Sequence, residues 1–217
     1  VSQQDRAART QRALIRSAAQ QFERYGYEKA SLSDISSGAG VSRGALHFHF
    51  DTKADMAGAV ESAAARTLRH AVESLPTAGL SALQELTDLS HRLGELLLWD
   101  VVVRAGFLLS CDGARHPGVD LCRQWQDHVD RLVTRAGREK SLAPETSPED
   151  VVNAVVAATL GLAMLSRSDR EWLNGQRLTG FWGLLLPSVT SPRTAVGLEQ
   201  GGTASAPDGC LARGPAT

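Results

Sequence analysis

Apolar residues recur along this chain mainly at the three- and four-residue spacing of helices, not at the alternation of strands. Between Thr10 and Tyr25 they fall at Leu14, Ala18 and Phe22, one stripe of an amphipathic helix. Leu32 and Ile35 then give an apolar edge to a short helix running to about Ala39, which Ser31 caps with Asp34 as the reciprocal acid. Gly40 supplies the residue that tolerates positive φ in a tight turn, Val41 fills the angle between two crossing helices, and small Ser36 lets them approach. Ser42 caps a second short helix. Its Leu46 and Phe50 point inward, leaving Arg43, Gly44, His47, Phe48 and His49 outside. Ser31 to Phe50 therefore spells a helix-turn-helix.

Beyond it, Thr52 with Asp55 opens a longer helix to about Leu75, closed by Pro76 and Gly79. Ser81 caps a leucine-rich helix ending near Trp99, and Val101 to Ser110 forms another. Asp112 to Pro117 reads as a turn-rich loop, followed by a helix from Gly118 to Arg138 with Leu121, Trp125 and Leu132 on one side. Ser147, Pro148 and Asp150 then announce a helix whose body, Val151 to Leu165, has almost no polar face. A further helix is expected from Asp169 to Leu186. Two such apolar helices exceed what one small bundle hides, so they are expected to meet their counterparts in a second copy, with Val155 and Phe181 in the contact. The tail from Ser188 to Thr217 is rich in Pro, Gly, Ala, Ser and Thr, which predicts disorder. The expected fold is all-α: a helix-turn-helix domain over residues 1–52, a helical ligand-binding and dimerisation domain over 53–187, and a tail over 188–217.

The outward set on the second short helix suits duplex DNA. An arginine near the start of a reading helix can bond guanine O6 and N7 in bidentate fashion, which makes Arg43 the base reader. Gly44 has no side chain to hold the helix off the groove, and Phe48 can pack on a thymine methyl. His47, His49 and Lys53 suit phosphates, which set register without reading sequence. The caps Ser31 and Ser42 complete the DNA-binding set. Arg6, Arg9 and Arg12 either extend the first helix or form an arm before it, within reach of flanking phosphates. His47 and His49 are not a metal site, because residues two apart diverge on a helix and no carboxylate or thiolate completes them.

Composition narrows the reading. The chain has 217 residues and a net charge of −1, with 42% hydrophobic and only 5% aromatic residues. The near-neutral total hides a basic excess in the first 53 residues, at the helix-turn-helix end. No apolar run crosses a membrane and no signal-type segment opens the sequence, so the expectation is a cytoplasmic protein with no membrane partner. Cys111, Cys122 and Cys210 lack metal spacing and read as inert thiols. No catalytic residue, metal or cofactor is assigned, because no strand-turn-helix elbow, metal motif or phosphate loop is present. Two other readings stay open at this level: a helical scaffold that uses the motif for protein contact, and a helical enzyme.

The order GYEKASLSDI followed by GAGVSRGALHFHFDTKADM resembles the DNA-binding domain of the tetracycline-repressor (TetR) family, over about Thr10 to Leu75. GALHFHF, the RAG at Arg104 to Gly106 and the isolated Trp125 in RQWQDHV are similar to the γ-butyrolactone receptor branch. The family usually has tyrosine where His47 stands. The resemblance implies a homodimeric repressor on a palindromic double-stranded operator, released by a small hydrophobic effector, butyrolactone-like or an antibiotic. It also implies a cavity within the central helices, walled by Trp125, with Phe107, Leu108 and Leu162 as further lining. Ala64 and Leu162 replace polar anchors of that branch, which points to a metabolite other than a simple lactone, as in a pseudo-receptor, and to secondary-metabolite or antibiotic genes.

Overall fold

The computed structural model describes residues 3–76, 79–111, 118–192, 194 and 197–203. Within these the chain is helical, and the one extended pairing is an isolated bridge between Leu142 and Thr190. Helix α1 (Gln3–Lys29) buries Leu14, Ala18 and Phe22 and carries Arg6, Arg9 and Arg12 as part of the helix, not as an arm. Its helical path breaks at Gly26, where φ is +78°. Helices α2 (Leu32–Gly38) and α3 (Arg43–His49) follow, then α4 (Lys53–Glu73), whose start is held by a reciprocal capping box between Thr52 and Asp55. Next come α5 (Ala82–Trp99), α6 (Val101–Cys111), α7 (Leu121–Arg138) and α8 (Pro148–Leu165). The expected loop at Asp112–Pro117 lies outside the described residues.

The expected single helix from Asp169 to Leu186 is split. Asp169 accepts a hydrogen bond from the Glu171 amide to start a 3-10 turn (Arg170–Leu173), and Asn174 then accepts one from the Gln176 amide to start α9 (Gly175–Val189). Two side chains that compete for local amides reset the backbone where hydrophobic spacing alone reads straight through.

Two cores meet along α4. Met56 and Val60 join Leu14, Phe22, Ile35, Leu46 and Phe50, together with Ala105 and Leu109 of α6. One turn further, Ala64 and Ala65 join the larger core of Leu86, Leu93, Phe107, Trp125 and Trp182. Helix α6 lies against both α1 and α4. At its crossing with α4 a Cβ on Gly106 would stand 2.7 Å from the Ala64 methyl and 2.8 Å from Leu121 Cδ1, so only glycine allows this approach. Arg104 fixes the other side of α6: its Nε donates to Glu23 Oε1 of α1 at 2.6 Å, and Nη1 donates to the Leu97 and Leu98 carbonyls at the end of α5.

The tail expectation fails in its described part. Ser191 N–H donates to the Ser141 carbonyl, and residues 197–203 lie along α5. There Gln84 and Glu199 exchange hydrogen bonds of 2.7 and 3.1 Å, and Asp88 accepts from the Thr203 amide at 2.8 Å. Gln84 and Asp88 are buried, and buried polar groups need partners; the tail backbone supplies them. Residues 204–217, with Cys210, lie outside the described residues.

Among the described residues α8 alone is long and apolar enough to cross a bilayer by length and composition. It packs onto α7 with Val151, Val152, Val155 and Thr159 buried. Val155 is thus interior to the chain, not available to a partner, and Phe181 is half-buried. The large apolar side chains left exposed on α8 and α9 are Met164, Leu165 and Leu184.

Candidate functional site

The recognition unit is built by caps and a single turn. Ser31 Oγ accepts from the Asp34 amide at 3.1 Å, and Ser42 Oγ accepts from the Ala45 amide at 3.1 Å. Between them Gly40 adopts φ +67°, and the Val41 amide returns to the Ser36 carbonyl. Ser17 of α1 donates to the Ile35 carbonyl at 2.8 Å, seating α2 on α1. Ile35, Leu46 and Phe50 are buried, so α3 shows its other face outward: Arg43, Gly44 and His47 are exposed and Phe48 is 81% exposed. The His49 ring meets the Phe48 ring edge-on at 5.3 Å.

Gly44 is informative because the fold does not require it. Its φ is ordinary, and a Cβ there would meet nothing closer than 3.9 Å. An exposed phenylalanine beside a glycine that the protein has no need of fits a surface shaped for something else. Lys53, expected at a phosphate, is engaged within the fold of the free chain. Its Nζ donates to the carbonyls of Glu28 at 2.9 Å and Ala30 at 3.4 Å and sits 4.7 Å from the Tyr27 ring centroid. The ammonium binds the end of α1 to the start of α4.

Of the cavities beyond this unit, two have Trp125 or its partner Thr159 in their lining. One, of about 280 Å³, opens between α4, α5 and α7, with Leu68, Leu93, Phe107, Leu121 and Trp125 in its lining. The other, of about 220 Å³, lies between α5, α8 and the start of α9, lined by Leu97, Thr159, Leu162, Trp172 and Leu178. Leu93 borders both. Trp125 donates its indole N–H to Thr159 Oγ1 at 2.8 Å, so this pair forms part of the partition. The four expected lining residues are therefore not brought together. Trp125 and Phe107 line the first cavity and Leu162 the second. Leu108 borders a slot of about 20 Å³, room for little more than a water. Ala64 packs on Gly106 at the α4–α6 crossing and lines neither cavity.

Residues 14–60 match the model of bacterial regulatory proteins of the tetR family. The A-factor receptor protein of Streptomyces griseus is 31% identical over 194 residues, covering 88% of this chain and 68% of that protein. The chain belongs to the tetR family. It is a DNA-binding repressor of the ligand-responsive kind. A crystal structure of a γ-butyrolactone receptor described as ArpA-like superimposes with a TM-score of 0.77 at 28% identity, covering 88% of this chain and 92% of the other. CprB from Streptomyces coelicolor, solved with its operator sequence, gives 0.75 at 29% identity, covering 88% and 93%.

Two features of this tetR-family chain escape sequence reasoning. Glu61, on α4 where the two cores meet, is buried, and burial pushes its carboxyl up to about 7, with the Val119 backbone and Ser110 hydroxyl bonding it. Its position among small apolar residues offers no signal beyond the helical register that turns it inward. Cys111 and Cys122 bring their sulfurs to 2.9 Å. The hydrogen bond between them, followed by burial, holds the Cys122 thiol far above its ordinary range, which agrees with low thiolate reactivity.

Proposed function

We propose that this protein represses secondary-metabolite or antibiotic genes in the cytoplasm, binding a palindromic operator as a homodimer and leaving it when a small hydrophobic metabolite fills the cavity beside Trp125. Arg43 reads a guanine edge, Gly44 permits close approach, Phe48 meets a thymine methyl, and His47 and His49 contact phosphates beside the capped starts at Ser31 and Ser42. Two copies join through the exposed apolar side chains of α8 and α9, Met164, Leu165 and Leu184 among them, presenting two recognition helices to two half-sites.

The observation that carries this reading is the division of α4. Its first half, through Met56 and Val60, holds the recognition unit, while Leu68 and Val72 of its second half wall the cavity. A ligand that favours one setting of the second half therefore biases the position of α3, and its leverage is the difference in its affinity for the two settings. The test is footprinting upstream of the protein's own and neighbouring genes, followed by gel shifts over a salt series. A protected inverted repeat with steep salt dependence is expected, because phosphate contacts release counterions. Equal affinity for all duplexes would refute it.

A further inference from the structure

The cavity between α4, α5 and α7 has an uneven distribution of polarity. Its interior, from Leu68 to Phe107, Leu121 and Trp125, is apolar, and the one polar atom of Trp125 is already given to Thr159. Its mouth is cationic: Arg69 comes from α4, Arg92 from α5 and Arg131 from α7. Arg92 is paired with Glu95 at 2.9 Å, and Glu73 also borders the mouth. Arg69 and Arg131 have no carboxylate partner among the described residues.

Arg131 is also held in place. Its Nε donates to the Asp127 carbonyl at 3.2 Å, and one Nη donates to His128 Nδ1 at 2.6 Å. His128 Nδ1 also lies 3.2 Å from the Gln124 carbonyl, but it cannot donate there while accepting from the guanidinium, which can only donate; the shorter contact, to Arg131, puts the imidazole proton on Nε2. Burial, then the neighbouring guanidinium, lowers the His128 pKa, which agrees with this neutral form. Donors thus outnumber acceptors at this cavity, whose remaining polar lining is Gln124 and Glu73.

Resting on the reading of this cavity as the effector site, we propose that its ligand is an amphipathic carboxylic acid, with the hydrocarbon or aromatic body against Trp125 and Phe107 and the carboxylate at the mouth between Arg69 and Arg131. A guanidinium fork matches a carboxylate in plane, and such a pair at the edge of an apolar pocket is stronger than one in open water. An uncharged lactone or ester of equal size keeps the burial and forgoes the ion pair.

The experiment is isothermal titration of the full chain with decanoate and with methyl decanoate, alongside operator gel shifts with the same two probes. Decanoate is expected to bind at least tenfold tighter than the ester. Arg69→Gln and Arg131→Gln should each weaken decanoate several-fold while leaving the ester within about twofold. Leu68→Trp, which fills the half-buried wall, should abolish both with little change in melting temperature. Equal binding of acid and ester, binding of neither, or indifference to both arginine variants overturns the proposal. If acid and ester bind equally and both release the operator, the effector reading stands and the anion preference falls. If the acid binds selectively and neither probe releases DNA, the preference stands and the effector reading falls.

Discussion

The recognition unit and the cavity beside Trp125 do opposite things with the chain. From Ser31 to Phe50 the caps, the turn, the inward anchors and the outward set all lie within one short stretch, so each residue's direction follows from its place in a seven-residue helix. The cavity draws Leu68, Leu93, Phe107 and Trp125 from four helices, and none has its role until α6 has crossed α4 at Gly106. The first is a local code. The second exists only as a consequence of packing, which is why the four expected lining residues scatter over three voids.

The strongest challenge to this contrast is to unseat one region and watch the other. Leu46→Ala removes a fully buried anchor of α3 and should cost roughly 2–5 kcal/mol, read from urea unfolding. Operator binding should disappear while ligand titration of the cavity persists at low temperature; joint loss would show that the two regions are one cooperative unit. Glu61 probes the seam. The folded chain keeps its proton to about pH 7, whereas the unfolded carboxyl loses it near the ordinary 4.5. Its contribution to stability is therefore full below about pH 4.5 and is lost as pH rises through about 7. Glu61→Gln should flatten that decline, a difference on the order of 1–3 kcal/mol at pH 8 in thermal melts.

Arg43→Ala sharpens the contrast from the other side, since an exposed side chain can carry specificity without carrying stability. It should remove roughly 1–3 kcal/mol of base discrimination in competition gel shifts with the melting temperature unchanged. Retained discrimination would place the base reader elsewhere. The smallest folding effect belongs to Leu184→Glu, at a position 80% exposed. Unfolding within about 0.5 kcal/mol of the parent, with sedimentation shifted to the monomer, is expected; an unchanged dimer would move the interface off this face.

What the sequence made legible follows the same division. Ser31, Gly40, Ser42, Leu46 and Phe50 stand as their spacing predicts, because caps, turn and helical period act over a few residues. Lys53 has a second task that local logic does not show: the first turn of a helix favours phosphate, and the ammonium also donates to the carbonyls of Glu28 and Ala30, across the fold. Val155 looked like an interface residue because α8 is apolar on nearly every side, and periodicity cannot say which side α7 takes. The tail at 197–203 has a composition that predicts no structure, yet it is held by main-chain bonds to Gln84 and Asp88, which composition does not register.

The placement of the tryptophans gives the molecule its own set of optical and magnetic reporters. Trp99 stands in solvent at the end of α5, Trp125 hydrogen-bonds Thr159 on the cavity wall, Trp172 lies under the Arg177 guanidinium, and Trp182 is sealed in the core with no partner for its indole N–H among the described residues. Four chemically distinct surroundings should give four resolved indole resonances in a nitrogen-15 spectrum. A ligand entering beside Trp125 would then shift one signal and leave the Trp182 line as an internal standard, separating occupancy from unfolding without any added label.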